Sequence, residues 1–316
     1  MTLNYTALTQ PVPIRSRLRA AWGKGAVACA GLSLLGTLGI IVIFLLDGFN
    51  SSIALLFILT IMCGIIATVG YFQAARHVRL QWFAEENSIT YRQNLTYDGR
   101  PGIFFNTGHS RRFTESLIFP KPHAFEIGNY SYTIGSGKSR RTHLMGYVQL
   151  ALPRRLPHMV LDSKKNNLFG HFSNIPYGFT GDQRLSLEGD FDEYFTLFAP
   201  ASYKRDALYV FTPDVMQLLM TNASGFDIEI IDDTLYLYSE APFEFAVQSH
   251  LEPLIQVAMA FSDKFSRRTG YYADEHVGDR EKNVIATPGA RLRTRMPALL
   301  GLTCIFFALY IIFLLV

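Results

Sequence analysis

Twenty consecutive residues, 297–316, read PALLGLTCIFFALYIIFLLV and carry no charged side chain. At about 1.5 Å of rise per residue, a helix of that length matches the ~30 Å hydrocarbon core of a bilayer. Two further runs of the same kind, 26–46 and 53–72, lie near the other end, joined by a short polar turn at 47–52. The pattern predicts a transmembrane helical hairpin at 26–72 and a third transmembrane helix at 297–316. The basic segment before the first run resembles the start of a secretory signal peptide, but the length of the run and the second run close behind it favour a retained helix. None of the three runs contains Asp, Glu, Lys, Arg or His. Those residue types mark ion and substrate pathways inside membranes, so passive anchoring is the expectation and a channel or transporter is disfavoured.

The lysines and arginines set the orientation, because short loops rich in them stay on the cytoplasmic side. The tail 1–25 carries Arg15, Arg17, Arg19 and Lys24, Arg76 and Arg79 follow the second run, Arg291, Arg293 and Arg295 precede the third, and the turn at 47–52 has none. The tail and the domain between the anchors are therefore expected in the cytoplasm, with a juxtamembrane helix at 73–87. The formal net charge of +3 is too small to signal nucleic-acid binding, and no aromatic-and-basic recognition motif accompanies it. All three cysteines, Cys29, Cys63 and Cys304, fall inside the apolar runs. The central domain accordingly has no disulfide, thiolate zinc site or cysteine nucleophile.

From Ser88 to Tyr271 the pattern changes to short β-like segments punctuated by Gly, Pro and Asn, which predicts an α+β domain with a mainly antiparallel sheet and a few helices. Strands are expected at 123–134, 142–152, 156–161 and 184–187. A hairpin is expected where Phe226, Ile228 and Ile230 alternate with Asp227 and Glu229, with Asp232-Asp233 as its turn and a water-facing polar side. Thr212-Pro213-Asp214 starts one helix, and Ser249 with Glu252 starts another whose buried face is Leu251, Leu254, Ile255, Ala258, Phe261 and Phe265. Residues 272–296, charged and without periodicity, read as a flexible tether.

Candidate chemistry is sparse. The Gly135-Ser-Gly-Lys-Ser139 stretch lacks the glycine that a phosphate loop needs at position 132, which is Tyr132, and a strand rather than a helix follows; it reads as a hairpin turn. Basic clusters at Arg111 and Arg112, at Lys138, Arg140 and Arg141, at Arg154 and Arg155, and at Lys164 and Lys165 are candidates for contact with anionic lipid or another anion. Glu188, Asp190 and Asp192 alternate as three carboxylates on one strand face would, able to hold a hard cation or to be neutralised by Arg184. His109, His143, His158, His171 and Asp162 are the residues available for metal or acid/base work, without the H-x-x-x-H spacing that fixes ligands on one helix face. No cofactor is indicated.

The phrases GSGKSRRTH (135–143), LPHMVLDSK (156–164), DQRLSLEGDFDEYF (182–195), DALYVFTPDVM (206–216) and FDIEIIDDTLYLY (226–238) resemble a family of uncharacterised actinobacterial-type membrane proteins. More loosely, the stretch from Leu185 to Tyr238 is similar to a wider bacterial family of unknown function. The resemblance implies a bacterial inner-membrane setting, no assigned activity, and no glycan on the sequons at Asn50, Asn94 and Asn129. The leading expectation is a non-catalytic, membrane-anchored cytoplasmic domain that binds a protein partner or an anionic surface. The alternatives are a membrane-bound hydrolase-like enzyme using His158, Asp162 and His171, and a small-ligand sensor, which requires an apolar cavity.

Overall fold

The computed structural model describes residues 3–22, 25–47, 51–167 and 173–295. The expected third membrane helix at 297–316 and His171 thus lie outside the described residues. The chain divides into two compact units, Met1–Tyr91 with Glu244–Ser249, and Arg92–Phe243 with the chain from His250 on.

The first unit contains α1 (Thr6–Thr9), α2 (Ile14–Trp22), α3 (Ala26–Asp47) and α4 (Ser51–Glu86). Both long helices carry stretches long and apolar enough to cross a membrane, Ala26–Leu46 in α3 and Ile53–Glu86 in α4. A core helix of that composition would be covered by protein, yet the large side chains of α3 stand clear, with Leu34, Leu45 and Leu46 each about three-quarters exposed. Small residues let the two helices approach: a Cβ on Gly36 would lie 2.3 Å from Thr60 Oγ1, and one on Gly70 would lie 2.5 Å from the Ala26 Cβ. Ser33 Oγ donates across the pair to Thr60 O at 3.2 Å.

Residues 1–25 are more than a polar tail. Pro13 stands immediately before α2, where its missing N–H costs nothing. Upstream, Ala7 and Leu8 of α1 are buried, Tyr5 stacks on Phe83 at 5.4 Å, and Asn87 Nδ2 donates to Asn4 O at 2.9 Å. These contacts cover the last turns of α4, whose Leu80 and Phe83 are fully buried.

The second unit is built on one sheet. Its strands are β1 (Thr90–Thr96), β2 (His109–Phe119), β3 (Phe125–Ile134), β4 (Arg141–Ser163), β6 (Arg184–Leu185), β7 (Phe195–Phe198) and β8 (Asp227–Ser239), with β5 (Gly178–Phe179) and β9 (Thr294–Arg295) forming a separate pair. The order is β1-β2-β3-β4-β7-β6, and β8 pairs with the remaining edge of β4. The helices are α5 (Phe191–Tyr194), α6 (Lys204–Val210), α7 (Pro213–Asn222), α8 (Gln248–Thr269) and α9 (Thr287–Ala290). The buried face of α8 includes Leu251, Leu254, Ile255, Ala258, Phe261 and Phe265, the residues that the spacing selects.

Two expectations change here for one reason. Residues 142–152 and 156–161 belong to a single 23-residue strand, and the Asp227–Ser239 segment is a single strand with no turn at Asp232-Asp233. The register runs from Ala151↔Thr234 to Leu156↔Asp232, so four residues of β4 face one of β8. Pro153 lies in that bulge and Pro157 in a second register shift between Leu156 and Met159; neither has an N–H to give to a ladder, and Asp232 adopts φ +56°. A turn signature in sequence therefore became a bend shared by two paired strands.

The register puts Tyr130, Tyr132, Met145, Tyr147, Tyr236 and Tyr238 on one face of the sheet, and Ile127, Val148, Leu150, Leu235 and Leu237 on the other. Both faces are buried. The rings close around Phe105, from the turn before β2, whose centroid lies 4.9–5.6 Å from Phe113, Tyr130, Tyr147, Tyr236 and Tyr238. Gly128, opposite Tyr147, has to be glycine: a Cβ there would lie 2.4 Å from the tyrosine ring.

The segment 272–296 is not a free tether over its described part. Tyr272 OH donates to Asp206 at 2.7 Å, Tyr203 OH to Asp274 at 2.8 Å, Leu292 is buried, and Arg293 N donates to Gln183 Oε1 at 2.8 Å. The carboxylate row also dissolves, because Asp190 and Asp192 sit at and in the short helix α5, where Leu187 N donates to Asp192 Oδ1 at 3.2 Å.

Phe105→Ala should destabilise the second unit by about 3–5 kcal/mol, as deleting a large ring from a closed core does. Equilibrium urea unfolding of the detergent-solubilised chain, followed by near-ultraviolet circular dichroism of the tyrosines, reads this directly. Lys138→Ala at an exposed turn should change stability by less than about 0.5 kcal/mol in the same assay.

Candidate functional site

The bent β4–β8 ladder carries most of the buried ionisable groups. Glu229, fully buried on β8, accepts three hydrogen bonds: from His158 Nε2 at 2.9 Å, from Tyr238 OH at 2.7 Å and from the backbone N–H of Ile103 at 2.8 Å. His158 Nδ1 in turn accepts from Leu292 N at 3.0 Å. A ring nitrogen that accepts from a backbone N–H carries no proton, so the proton of the neutral imidazole sits on Nε2 and points at Glu229. Both nitrogens are thus engaged, and the side chain is buried. Proximity to the Glu229 carboxylate and burial push the Tyr238 hydroxyl well above its ordinary value, burial being the larger cause.

A second acidic group lies where β4 ends and β8 begins. Leu161 pairs with Ile228, so the next residues, Asp162 and Asp227, stand opposite each other. Asp227 Oδ1 accepts from Ser163 N at 2.9 Å, and Oδ2 from Asn166 and Asn174 at 3.0 and 2.8 Å. Asn167, with its amide turned to donate, reaches Asp162 Oδ1 at 3.1 Å. Burial raises Asp162 to about 6, and burial together with the neighbouring Asp162 raises Asp227 to about 7. The carbonyl oxygens of Asn166 and Asn174 are buried and have no hydrogen-bond partner among the described residues.

Asp227 and Asn174 also line a cleft of about 380 Å³ whose walls include Phe104, Tyr132, Met145 and Tyr238. The His143 ring stacks on Tyr132 at 5.1 Å, and Leu144 and Ile134, both about half exposed, stand at its edge. The polar residues lining it include His143, Ser173, Asn174, Asp227, Ser239 and Glu240, and no lysine or arginine lines it among the described residues. It offers apolar walls interrupted by acidic, amide and hydroxyl side chains.

His158 and Asp162 bond to different partners rather than to each other. His109 Nε2 bonds to Gly135 O at 2.9 Å at the β3–β4 turn. Among the basic residues, Arg111 is tied down, donating to Phe105 O at 2.9 Å and lying 4.3 Å over Tyr97. Arg154 donates to Arg280 O and Lys282 O, each at 3.1 Å, and Arg155 pairs with Asp232 at 2.9 Å, so these two fasten the 280–283 segment and the bend. Arg112, Lys138, Arg140 and Arg141 are exposed. The residues that sequence reasoning passed over are Glu229, Asp227 and Tyr238. Their signal was present: alternating acids in an otherwise apolar strand, read as a wet face because nothing in one strand reveals that its far side is covered.

The two aspartates fix a pH dependence. Both carboxyls hold their proton in the folded chain at pH values where the unfolded chain has lost it, above about 3.9. The stability they contribute is complete below about pH 4 and is lost as pH rises through about 6 and about 7. Asp227→Asn should remove much of that loss, leaving the variant more stable than the parent at pH 8 by about 2–4 kcal/mol and similar to it at pH 4. Rotation of the Asn166 and Asn174 amides can supply the acceptors that a new amide requires. Urea midpoints across the pH range check the slope.

The chain matches no family model and no curated protein. Among solved structures it is similar to the crystal structure of the mycobacterial trehalose monomycolate transport factor A, TtfA, at 8% identity, covering 57% of this chain and 89% of that one, with a TM-score of 0.37. A likeness of that degree carries no conclusion about fold or activity for this chain.

Proposed function

We propose that the protein is a non-catalytic, membrane-anchored binding module whose second unit takes an apolar-bodied ligand, bearing a hydrogen-bond-donating or positively charged end, in the cleft beside β3, β4 and β8. The observation that carries the reading is the cleft itself. Its volume of about 380 Å³ lies within the range of small-molecule sites, and its lining includes the acids Asp227 and Glu240 with no lysine or arginine among the described residues. Asn174 also lines it, and its buried carbonyl has no donor among the described residues, one that a ligand N–H would supply.

Anchoring rests on α3 and α4, two exposed apolar helices of membrane-crossing length. The distribution of Lys and Arg supports a cytoplasmic second unit, and the resemblance noted above supports the inner membrane of a bacterium. The bonding of His158 argues against the hydrolase-like alternative. A general base needs a nitrogen free to take a substrate proton, and both of its nitrogens are spent on Leu292 N and Glu229. A protein partner remains the second reading, favoured by the exposed Lys138, Arg140 and Arg141 at the β3–β4 turn.

The test is a thermal-shift and native mass-spectrometry screen of the solubilised full chain against matched hydrophobic amines and hydrophobic carboxylates. Amines should bind and stabilise, and carboxylates should not. Leu144→Arg, which places a cation at the edge of the cleft, should weaken amine binding about tenfold or more. Equal binding of amines and carboxylates, or an unchanged affinity in Leu144→Arg, counts against the cleft. A partner cross-linked in native membranes and lost when Lys138, Arg140 and Arg141 are replaced by alanine moves the assignment to that turn.

A further inference from the structure

The first unit contains a crevice that its sequence does not announce. It has a volume of about 280 Å³ and is lined by Leu18 and Ala21 of α2, Ala26, Val27 and Ala30 of α3, and Ala67, Thr68 and Tyr71 of α4. Its depth in the membrane follows from the helices that build it. The α3 residues belong to the first turns of one apolar run and the α4 residues to the last turns of the other, with Arg76 and Arg79 just beyond. That is the level at which acyl chains meet headgroups.

The mouth is cationic. Arg17 Nη1 donates to the Tyr71 hydroxyl at 3.1 Å, and its guanidinium lies 5.1 Å over the Tyr71 ring, so the charge is fixed to a wall of the crevice. Its Nε goes to Val12 O at 2.9 Å, and Nη2 has no hydrogen-bond acceptor among the described residues. Arg15 and Arg19 are exposed on the same helix, which has no acid. Ile14 and Leu18, one turn apart on α2, are also exposed, and Leu18 joins the apolar surface of α3 and α4 through the crevice. An apolar slot with the Arg17 guanidinium fixed to its wall complements one kind of molecule: an acyl chain attached to an anionic headgroup.

We infer that this crevice binds one anionic phospholipid, with an acyl chain between α2, α3 and α4 and the headgroup phosphate on Arg17. The inference rests on α3 and α4 being membrane spans and is independent of the cleft in the second unit. Held this way, α2 lies in the interfacial layer, and the bound lipid fills space that protein leaves open.

The experiment uses the full chain in nanodiscs of phosphatidylcholine alone or mixed with phosphatidylglycerol, with native mass spectrometry counting the lipids retained on release. One phosphatidylglycerol should stay with each chain in preference to phosphatidylcholine. Arg17→Gln should reduce that preference about fivefold, the effect of one well-placed charge near a membrane surface. Ala67→Leu, which fills the slot, should abolish retention of the lipid while the chain stays resistant to carbonate extraction. Inorganic phosphate in excess should displace nothing. Equal retention of the two lipids, full retention in Ala67→Leu, displacement by phosphate, or a second copy cross-linked at Ala30 in place of lipid would each overturn the assignment. Release of the wild-type chain by carbonate would overturn the span reading beneath it.

Discussion

The pairing of β4 with β8 is the constraint on which the second unit depends. The two strands run together from Gly146↔Ser239 to Leu161↔Ile228, and every other strand of the main sheet connects to this ladder through β4. Because side chains alternate strictly along a strand, a slip of one residue would exchange the tyrosine face for the aliphatic one and strip Glu229 of its donors. Two register shifts, at 152–155 and at 157–158, relate the registers on either side of the bend, and Arg155 and Arg291 hold the bend by bonding to Asp232. Those pairs are partly exposed and contribute little individually; their role is to fix the geometry in which the buried groups meet.

What the ladder buries is costly unless it is satisfied. An unpaired carboxylate in the interior costs several kcal/mol. Glu229 avoids this with three donors from three different parts of the chain: the turn before β2, the far half of β4 and its own strand after the bend. The chain reaches Leu292 only after α8, yet that residue's backbone N–H completes the histidine. Such an arrangement makes folding of the distant segments mutually dependent, and it explains why 272–295, composed like a linker, is docked.

Much of the architecture was legible because it rests on local physics. The apolar runs at 26–46 and 53–72, the face of α8 and the proline-initiated α7 follow from length, period and the position of Pro213, which a short window contains, whereas Thr212 makes no side-chain cap bond and Ser249 lies inside α8. The buried site was not legible for the opposite reason. Asp227 and Glu229 alternate with isoleucines as any half-exposed strand would, and the Asp232-Asp233 pair carries a turn signature. Only the partner strand, more than sixty residues earlier, decides that the acids face inward and the aspartates bend rather than turn. His158 and Asp162 were picked out as residues available for metal or acid/base work, but grouping them left out the ladder that gives each its own partners. Arg111 and Arg154 are held by backbone carbonyls, a state that composition, which counts charges, does not reveal.

The contrast between the two buried acidic sites shows where a response can reside. Glu229 and Asp227 are equally buried and each accepts three hydrogen bonds, so burial and donor number do not separate them. The kind of neighbour does. Asp227 faces Asp162 across the ladder, and two carboxylates at one position cannot both be charged cheaply, which is why desolvation and the neighbouring acid together carry Asp227 to about 7. Its donors include two asparagine amides whose carbonyls stay unpartnered, so the surrounding shell can rotate to serve either protonation state. Glu229 is instead held by a backbone amide, a tyrosine and an imidazole that is itself pinned from behind, a shell with one arrangement. One polar site thus ties distant segments together, and the other, lining the cleft, holds a carboxyl whose proton burial and a neighbouring acid retain.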